Sequence, residues 1–544
     1  MVVRSIGLIG LVLMIGSLAS APAFGDDAPY EPPDFMKELP PLPAGVDAGA
    51  VWRLDLAETL RLAVHHNLGL AVERESVQIA QLGITGAHAA FDPSLHLSVD
   101  HFRADSPPLT AQAGVPGEIV TTTNEDWSLS LSQRLQTGMQ LQLDFLNGRS
   151  RSTAGTTVEP LNYRSSLSLT VTQPLLRGFS PDLVVPRIDV LRAEIASERE
   201  RQQLLVTAAQ IVEQAEDAYW DLVQALYQYD LDLRSRRLAD DQLALTRRQI
   251  DAGITPPSDL IAAESTLAQR TLQLVSAEQQ IEQASDRLRS LIHLPREQWS
   301  RPILPTELPR FAAETHRAED MLAVALQHRP ELAQLDLDLR AEELAVRKAD
   351  NDKLPQIDVG VSGSLTGQDA SYPTALGQIS RADAPGYSVV LSLTWTPLNR
   401  AASTAAEIER AHQRVALAGR EQTLQDLWSA VRDAVRTQHS AALQVTAAAR
   451  FRELATRSLD AEQRKFRNSN STNFFIAQRQ QELASAQLSE LSAVLAHKKA
   501  TAALLRATGR LLDERHIELE VRRAAAPAPA GSGPAPAIAP AAPR

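Results

Sequence analysis

Side chains able to do chemistry occur in pairs along this chain, but their settings assign them to helix faces. His65 and His66 sit in a segment that is repeated later, where their counterparts are Gln327 and His328. A solvated or satisfied helical histidine explains both better than a metal ligand or general base. Asp240–Asp241, Arg236–Arg237 and Arg247–Arg248 fall in long stretches of helical period, where such pairs keep a face solvated. No Gly-rich loop follows a strand, so a phosphate cradle is not expected. The absence of cysteine excludes disulfides, thiolate metal sites and a lipid-modified N-terminal cysteine. With a net charge of -12 and no concentrated basic face, nucleic acid is not an expected partner. No catalytic residue, cofactor site or metal site is assigned.

The elements that would position any site come in two copies. Residues 60–99 return as 322–361 at one offset of 262 positions, with Leu60/Leu322, Ala63/Ala325, Leu70/Leu332, Pro93/Pro355 and Val99/Val361 identical. Residues 167–172 (LSLTVT) return as 391–396 (LSLTWT) at an offset of 224, so the first copy holds 38 additional residues before Leu167. The copies are expected at 54–310 and 311–515.

Both ends read differently from the repeats. A basic start, an apolar run and the small residues before Asp26 form a signal peptide, expected over 1–25 with cleavage after Gly25. Residues 26–53 read as a Pro-rich extended lead-in, and 516–544 as an Ala/Pro-rich tail that cannot bury enough surface to fold.

Within each copy lie helices too long for a compact domain. Leu204, Ala208, Ile211, Ala215, Ala218, Leu222, Ala225 and Tyr229 recur in steps of four and three, and Leu260, Leu267, Leu274, Ile281 and Leu288 recur every seven. Such seams imply supercoiled helices. The breaks at Gly253–Pro257 and Asn468–Ser471 turn them into hairpins over about 184–293 and 401–512. Each hairpin has one narrow apolar stripe and needs neighbours on both sides.

Between the helices the period becomes two. Strands are expected at about 94–103, 127–135, 139–146 and 164–173 in the first copy, and at about 356–365 and 387–396 in the second. Leu95, Leu97 and Val99 alternate with Ser94, His96 and Ser98, and the other segments alternate likewise. Segments of about ten residues with one apolar and one polar face suit a transmembrane β-barrel, with outer-membrane lipid on the apolar side. Thr137–Gly138 is a tight turn, whereas 104–125, 147–162 and 365–385 read as long polar loops. Pro93, Pro174, Pro355 and Pro397 mark strand-to-helix junctions, where a residue without an amide donor ends regular pairing.

The duplicated unit of helix, strand pair and long helical hairpin, with the wording Thr172-Gln173-Pro174-Leu175, resembles the TolC family of outer-membrane efflux proteins over about 54–512. The stretches 247–254 and 466–474 look like that family's hairpin turns. The resemblance implies a fold that is mainly α with membrane β, a homotrimeric α-barrel continuous with a transmembrane β-barrel. It also implies a passive outer-membrane channel for efflux or type I secretion that extends into the periplasm, with a periplasmic adaptor protein and an inner-membrane pump as partners. Adaptor docking is carried to the hairpin tips, Ala252, Gly253 and Ile254, then Asn468, Ser469 and Asn470. For the periplasmic gate, Asp259 matches an acidic residue, Phe466 takes an aromatic place without a hydroxyl, and Ser471 stands where a base would be. An ionic latch is therefore expected to be weak or absent. Phe475 and Gln478 replace a ring of aspartates, so strong cation block is not expected. Asp259 also reads as an ordinary capping residue. The alternative is a structural coiled-coil protein of the cell envelope without a pore.

Overall fold

The switch from a seven-residue to a two-residue period separates long helices from one antiparallel sheet. The computed structural model describes residues 30, 32–41, 43, 51–107, 119–153, 161–253, 256–467 and 470–519. The expected signal peptide, residues 26–29, 31, 42 and 44–50 of the lead-in, the tail from 520 onward, and Ile254, Asn468 and Ser469 lie outside the described residues.

In chain order the first copy contributes β1 Trp52–Leu54, α1 Leu56–His66, α2 Leu68–His88, β2 Ser94–Ser106, β3 Val120–Arg134, β4 Gln140–Ser152, β5 Leu161–Pro174, α3 Ile188–Asp251 and α4 Ser258–Leu291. β6 Ile303–Pro305 closes that copy, and the second contributes α5 Ala318–His328, α6 Pro330–Asp352, β7 Gln356–Asp369, α7 Tyr372–Arg381, β8 Pro385–Thr394, α8 Arg400–Arg467, α9 Asn473–Ala507 and α10 Leu511–Glu514.

Local chemistry starts and stops these helices. Asp55 caps α1 by accepting from the Glu58 amide, and Asn67 caps α2 by accepting from the Gly69 and Leu70 amides. The Asn67 side-chain amide also donates to the Leu291 carbonyl at 3.1 Å. One residue thus both begins α2 and ties it to the end of α4. Pro330 opens α6, where a missing amide costs nothing. α3 and α8 run for 64 and 68 residues, roughly 100 Å each at 1.5 Å per residue.

The core lies where the two copies meet. Leu204, Ala208, Val212, Ala215, Leu222 and Leu226 of α3 are buried with Leu60 and Ala63 of α1, Leu288 of α4, and Leu491 and Val494 of α9. β1 and β6 pair in parallel beside it. The Tyr219 hydroxyl donates to the Leu54 carbonyl at 3.3 Å and accepts from the Glu307 amide at 3.1 Å. Long helices with small seam residues are thereby fastened by one compact belt.

The sheet has six strands in the order β2-β3-β4-β5-β7-β8, every pair antiparallel. β5 joins β7 through Val171↔Val361, which fuses the two copies into one surface. The additional residues of the first copy form the hairpin β3–β4 inside this sheet. β3 begins at Val120 rather than near 127, because the Thr121–Thr123 run continues the pairing with β2 and β4.

The segment expected as a long loop after residue 365 is ordered differently. β7 continues to Asp369 and α7 follows, with Ala375 and Ile379 buried against the sheet. This close approach requires Gly367, since a Cβ there would stand 1.9 Å from the Ala375 carbonyl oxygen. Gly367→Val is expected to lift α7 off the sheet and speed tryptic cleavage after Arg381 at least tenfold, about 1.4 kcal/mol of local opening. An unchanged digestion rate would contradict this packing.

Candidate functional site

The wall presented by the six strands has two chemically distinct faces. One carries rows such as Leu95, Leu131, Leu143 and Leu169, then Leu97, Leu129, Phe145, Leu167 and Leu365, each residue facing the next across a strand pair. Within the chain this face is largely uncovered, with Val99 76% and Leu391 71% exposed. Apolar rows this extensive, left bare in one chain, are what lipid or a partner covers. The opposite face is polar. Hydroxyls bridge Ser94 to Ser132 and Ser98 to Ser128 at 2.7 Å, and Ser362 to Ser388 at 2.8 Å.

Helices and strands end at the same two edges. α2 packs on α3, α3 on α6 and α6 on α8, while lower down α4 packs on α3, α3 on α9 and α9 on α8. β2 follows α2 at one sheet edge and β8 precedes α8 at the other, each paired on one side only. Along α2, Leu68, Val72, Ile79 and Leu82 form an exposed stripe, as do Ile408 and Val415 on α8 and Ile261, Leu272 and Val275 on α4. Among the described residues no helix is long and apolar enough to cross a membrane.

At the first hairpin tip the Ala252 amide donates to the Arg248 carbonyl and the Gly253 amide to the Ile250 carbonyl. Gly253 has φ +74°, the left-handed conformation that ends a helix and that glycine adopts without strain. Asp259 lies in the first turn of α4 and accepts from the Ser258 hydroxyl at 3.4 Å. Its carboxylate thus faces the positive end of its own helix. The tie across this tip is a different pair, Arg247 Nη2 to Glu264 Oε1 at 3.1 Å.

At the second tip, Ser471 lies in the turn between α8 and α9. Its hydroxyl donates to Glu462, which also takes Lys465 at 3.2 Å. The Ser471 hydroxyl above all, with Lys465 beside it, holds the Glu462 carboxyl below its usual range. Phe466 is half-buried near the end of α8, and Asn470 donates its amide to the Lys465 carbonyl. Phe475 and Gln478 are exposed and three residues apart on α9. Phe474 and Phe475 meet edge to face at 5.6 Å. The structure therefore brings Ser471 to Glu462, and leaves Asp259 on a separate hairpin.

Pro93 and Pro355 immediately precede β2 and β7, Pro174 ends β5, and Pro397 lies between β8 and α8.

Sequence reasoning does not single out Glu462, Glu264 or two buried ion pairs. Glu216 accepts from Arg515 at 2.6 and 2.9 Å, and Glu490 pairs with Arg452. A signal exists for Glu216, an acid inside an otherwise apolar seam. His497 of α9 is buried, contacts Gln438 at 3.3 Å and meets Phe311 edge to face at 4.9 Å, and burial pulls its pKa down. These contacts are those of a packed interior. Among the described residues no cluster of three or more histidines and carboxylates is arranged to hold a metal.

Comparison with known proteins places this geometry. No curated protein matches the chain in sequence. Residues 321–510 match the outer membrane efflux protein family. The outer-membrane channel OprN is 16% identical with a TM-score of 0.62, covering 90% of this chain and 98% of its own. The Campylobacter jejuni CmeC outer membrane channel is 13% identical with a TM-score of 0.60, over 84% of this chain and 86% of its own. The Neisseria gonorrhoeae MtrE outer membrane channel, in its open state, is 15% identical with a TM-score of 0.57, over 84% and 89%. The outer membrane efflux protein match covers most of the second copy, the first copy duplicates its elements, and the chain shares the fold of these outer-membrane channels.

Proposed function

We propose that the mature chain, beginning after Gly25, assembles as a homotrimer that conducts solutes passively from a periplasm-spanning efflux or type I secretion system to the exterior. The observation that carries this reading is the coincidence of edges. Unpaired β2 and the apolar α2 stripe lie on one side of the chain, and unpaired β8 and the α8 stripe lie on the other. Surfaces that differ on the two sides join head to tail and generate a ring. In that ring β8 of one copy runs beside β2 of the next, antiparallel like every pair within the chain. No open edge remains in the membrane.

With six strands per copy, three copies give a barrel of eighteen, wide enough for an aqueous lumen. The apolar rows face lipid and the seryl rows face water. The helical hairpins continue the duct into the periplasm, and their tips, Ala252–Ile254 and 468–470, receive the adaptor that links the channel to an inner-membrane pump. Opening spreads the tips. Arg247–Glu264 and Glu462–Ser471 hold each hairpin internally, while Phe475 and Gln478 border the aperture, with Asp259 and Phe466 beside the turns. Energy comes from the pump, so the channel itself has no reaction to catalyse.

Purified protein in a planar lipid bilayer is expected to give discrete single-channel conductance, with eighteen strands visible in electron micrographs of the assembly. A preparation that remains assembled but passes no ion would favour the structural coiled-coil alternative. A count of twelve would place β3–β4 outside the wall.

A further inference from the structure

The apolar face of β2, β3 and β4 ends abruptly and gives way to a basic patch. Val99, Trp127 and Asn147 face one another across these strands. Two residues onward come His101, Glu125 and Arg149, then Arg103, Thr123 and Arg151. Strand geometry puts Arg103 and Arg151 about 10 Å apart and Arg149 about 7 Å from Arg151. All three lie on the side of the sheet that carries Leu97, Leu129 and Phe145.

The acids on this face do not use up the cations. Glu125 accepts from Arg149 at 2.7 Å and lies 3.7 Å from His101. Asp105 stands 3.8 Å from Arg103 and accepts the Thr121 hydroxyl at 2.6 Å. Arg103 keeps 63% of its side chain exposed. Beneath the arginines, Trp127 and Phe145 meet edge to face at 5.3 Å, and to one side Tyr163 packs on Tyr372 of α7 at 6.1 Å. Aliphatic wall, aromatic step and guanidinium crown succeed one another in the order of acyl chains, interface and phosphate plane in one bilayer leaflet. Guanidinium forks match phosphate oxygens in pairs, which makes arginine suited to this position.

We propose that this patch binds a phosphorylated glycolipid of the outer leaflet, with its phosphates among Arg103, Arg149 and Arg151 and its acyl chains on Leu97, Leu129 and Phe145. The inference rests on the reading of the apolar face as lipid-facing.

The detergent-solubilised assembly is to be titrated with bis-phosphorylated lipid A, its dephosphorylated form, and inorganic phosphate, with bound lipid counted by native mass spectrometry. The intact protein is expected to retain the bis-phosphorylated lipid and not the dephosphorylated one, and excess inorganic phosphate is expected not to displace it. The triple variant R103Q/R149Q/R151Q is expected to bind roughly a hundredfold more weakly, from about fivefold per arginine. Equal retention by the variant, equal retention of the dephosphorylated lipid, or displacement by inorganic phosphate overturns the proposal. Single-channel conductance of the same variant is expected to match that of the parent. Loss of lipid with conductance intact locates the effect at this patch, whereas absent conductance in both proteins refutes the channel reading instead.

Discussion

Aspartate at both Val72 and Ile79 is expected to yield a folded chain that no longer assembles. The two residues are 65% and 69% exposed in the chain, so the substitutions remove no internal contact and add no internal clash. Leu70 and Val77, which bury α2 against its own chain, are untouched. In the proposed ring the same stripe is covered by Ile408 and Val415 of α8 of the next copy, and each carboxylate would be pressed against that apolar stripe. An unpaired buried charge costs several kcal/mol. Two such charges recur at every seam of a closed ring, which is enough to abolish association at micromolar protein. Native mass spectrometry is expected to find monomer, with helical circular dichroism unchanged and conductance lost. A fully assembled double variant would show that α2 is not at the seam.

The second large effect concerns a charge buried inside one chain. Glu216 of α3 keeps 1% of its side chain exposed and is matched by Arg515, which follows α10. Burial pushes the Glu216 carboxyl above its ordinary value of 4.5, and Arg515 opposes that rise. Arg515→Met removes the opposition and is expected to destabilise the chain by about 3–5 kcal/mol at neutral pH, the usual result of breaking one side of a buried pair.

The sign of its pH dependence comes from linkage. In the variant the folded-state pKa lies further above the unfolded one, so the unfolded state releases its proton first as pH rises. The loss is therefore small in acid, where both states are protonated, grows as pH rises through the interval between the two pKa values, and then levels off. Thermal unfolding followed across this interval is expected to show that profile, and adding Glu216→Gln is expected to flatten it. A pH-independent loss would assign the effect to packing by Arg515 instead.

Much of the fold is legible in the chain because it is periodic. The seams through Leu222 and Leu288 and the alternation through Leu95 and Leu143 are local patterns, and a local pattern reports its own element. The duplication supplies the order of parts, since Val99 and Val361 belong to equivalent strands. Features that depend on distant neighbours are not legible in this way. Nothing near Tyr372 announces a helix, because α7 is stabilised by Ala375 and Ile379 meeting Gly367 and the β5–β7 surface. Ser471 aligns by position with a base, yet its hydroxyl is claimed by Glu462, an acid within a charged helix end that looks like any solvated residue. Asp259 can be placed at a helix start, but a helix start alone does not fix what stands opposite.

In the proposed trimer the hairpin β3–β4 sets the bore of the duct as well as the strand count. Six strands spaced about 4.8 Å apart and tilted about 40° span an arc of roughly 38 Å per copy. Four helices, α2, α3, α6 and α8, at 8–10 Å between axes, span about 36 Å. A four-stranded sheet would span only about 25 Å at the same tilt and would force a taper at the membrane. By nearly equalising the two arcs, the hairpin would leave no neck where the sheet meets the helices in the proposed assembly, so any narrowing of the proposed passage would lie at the hairpin tips.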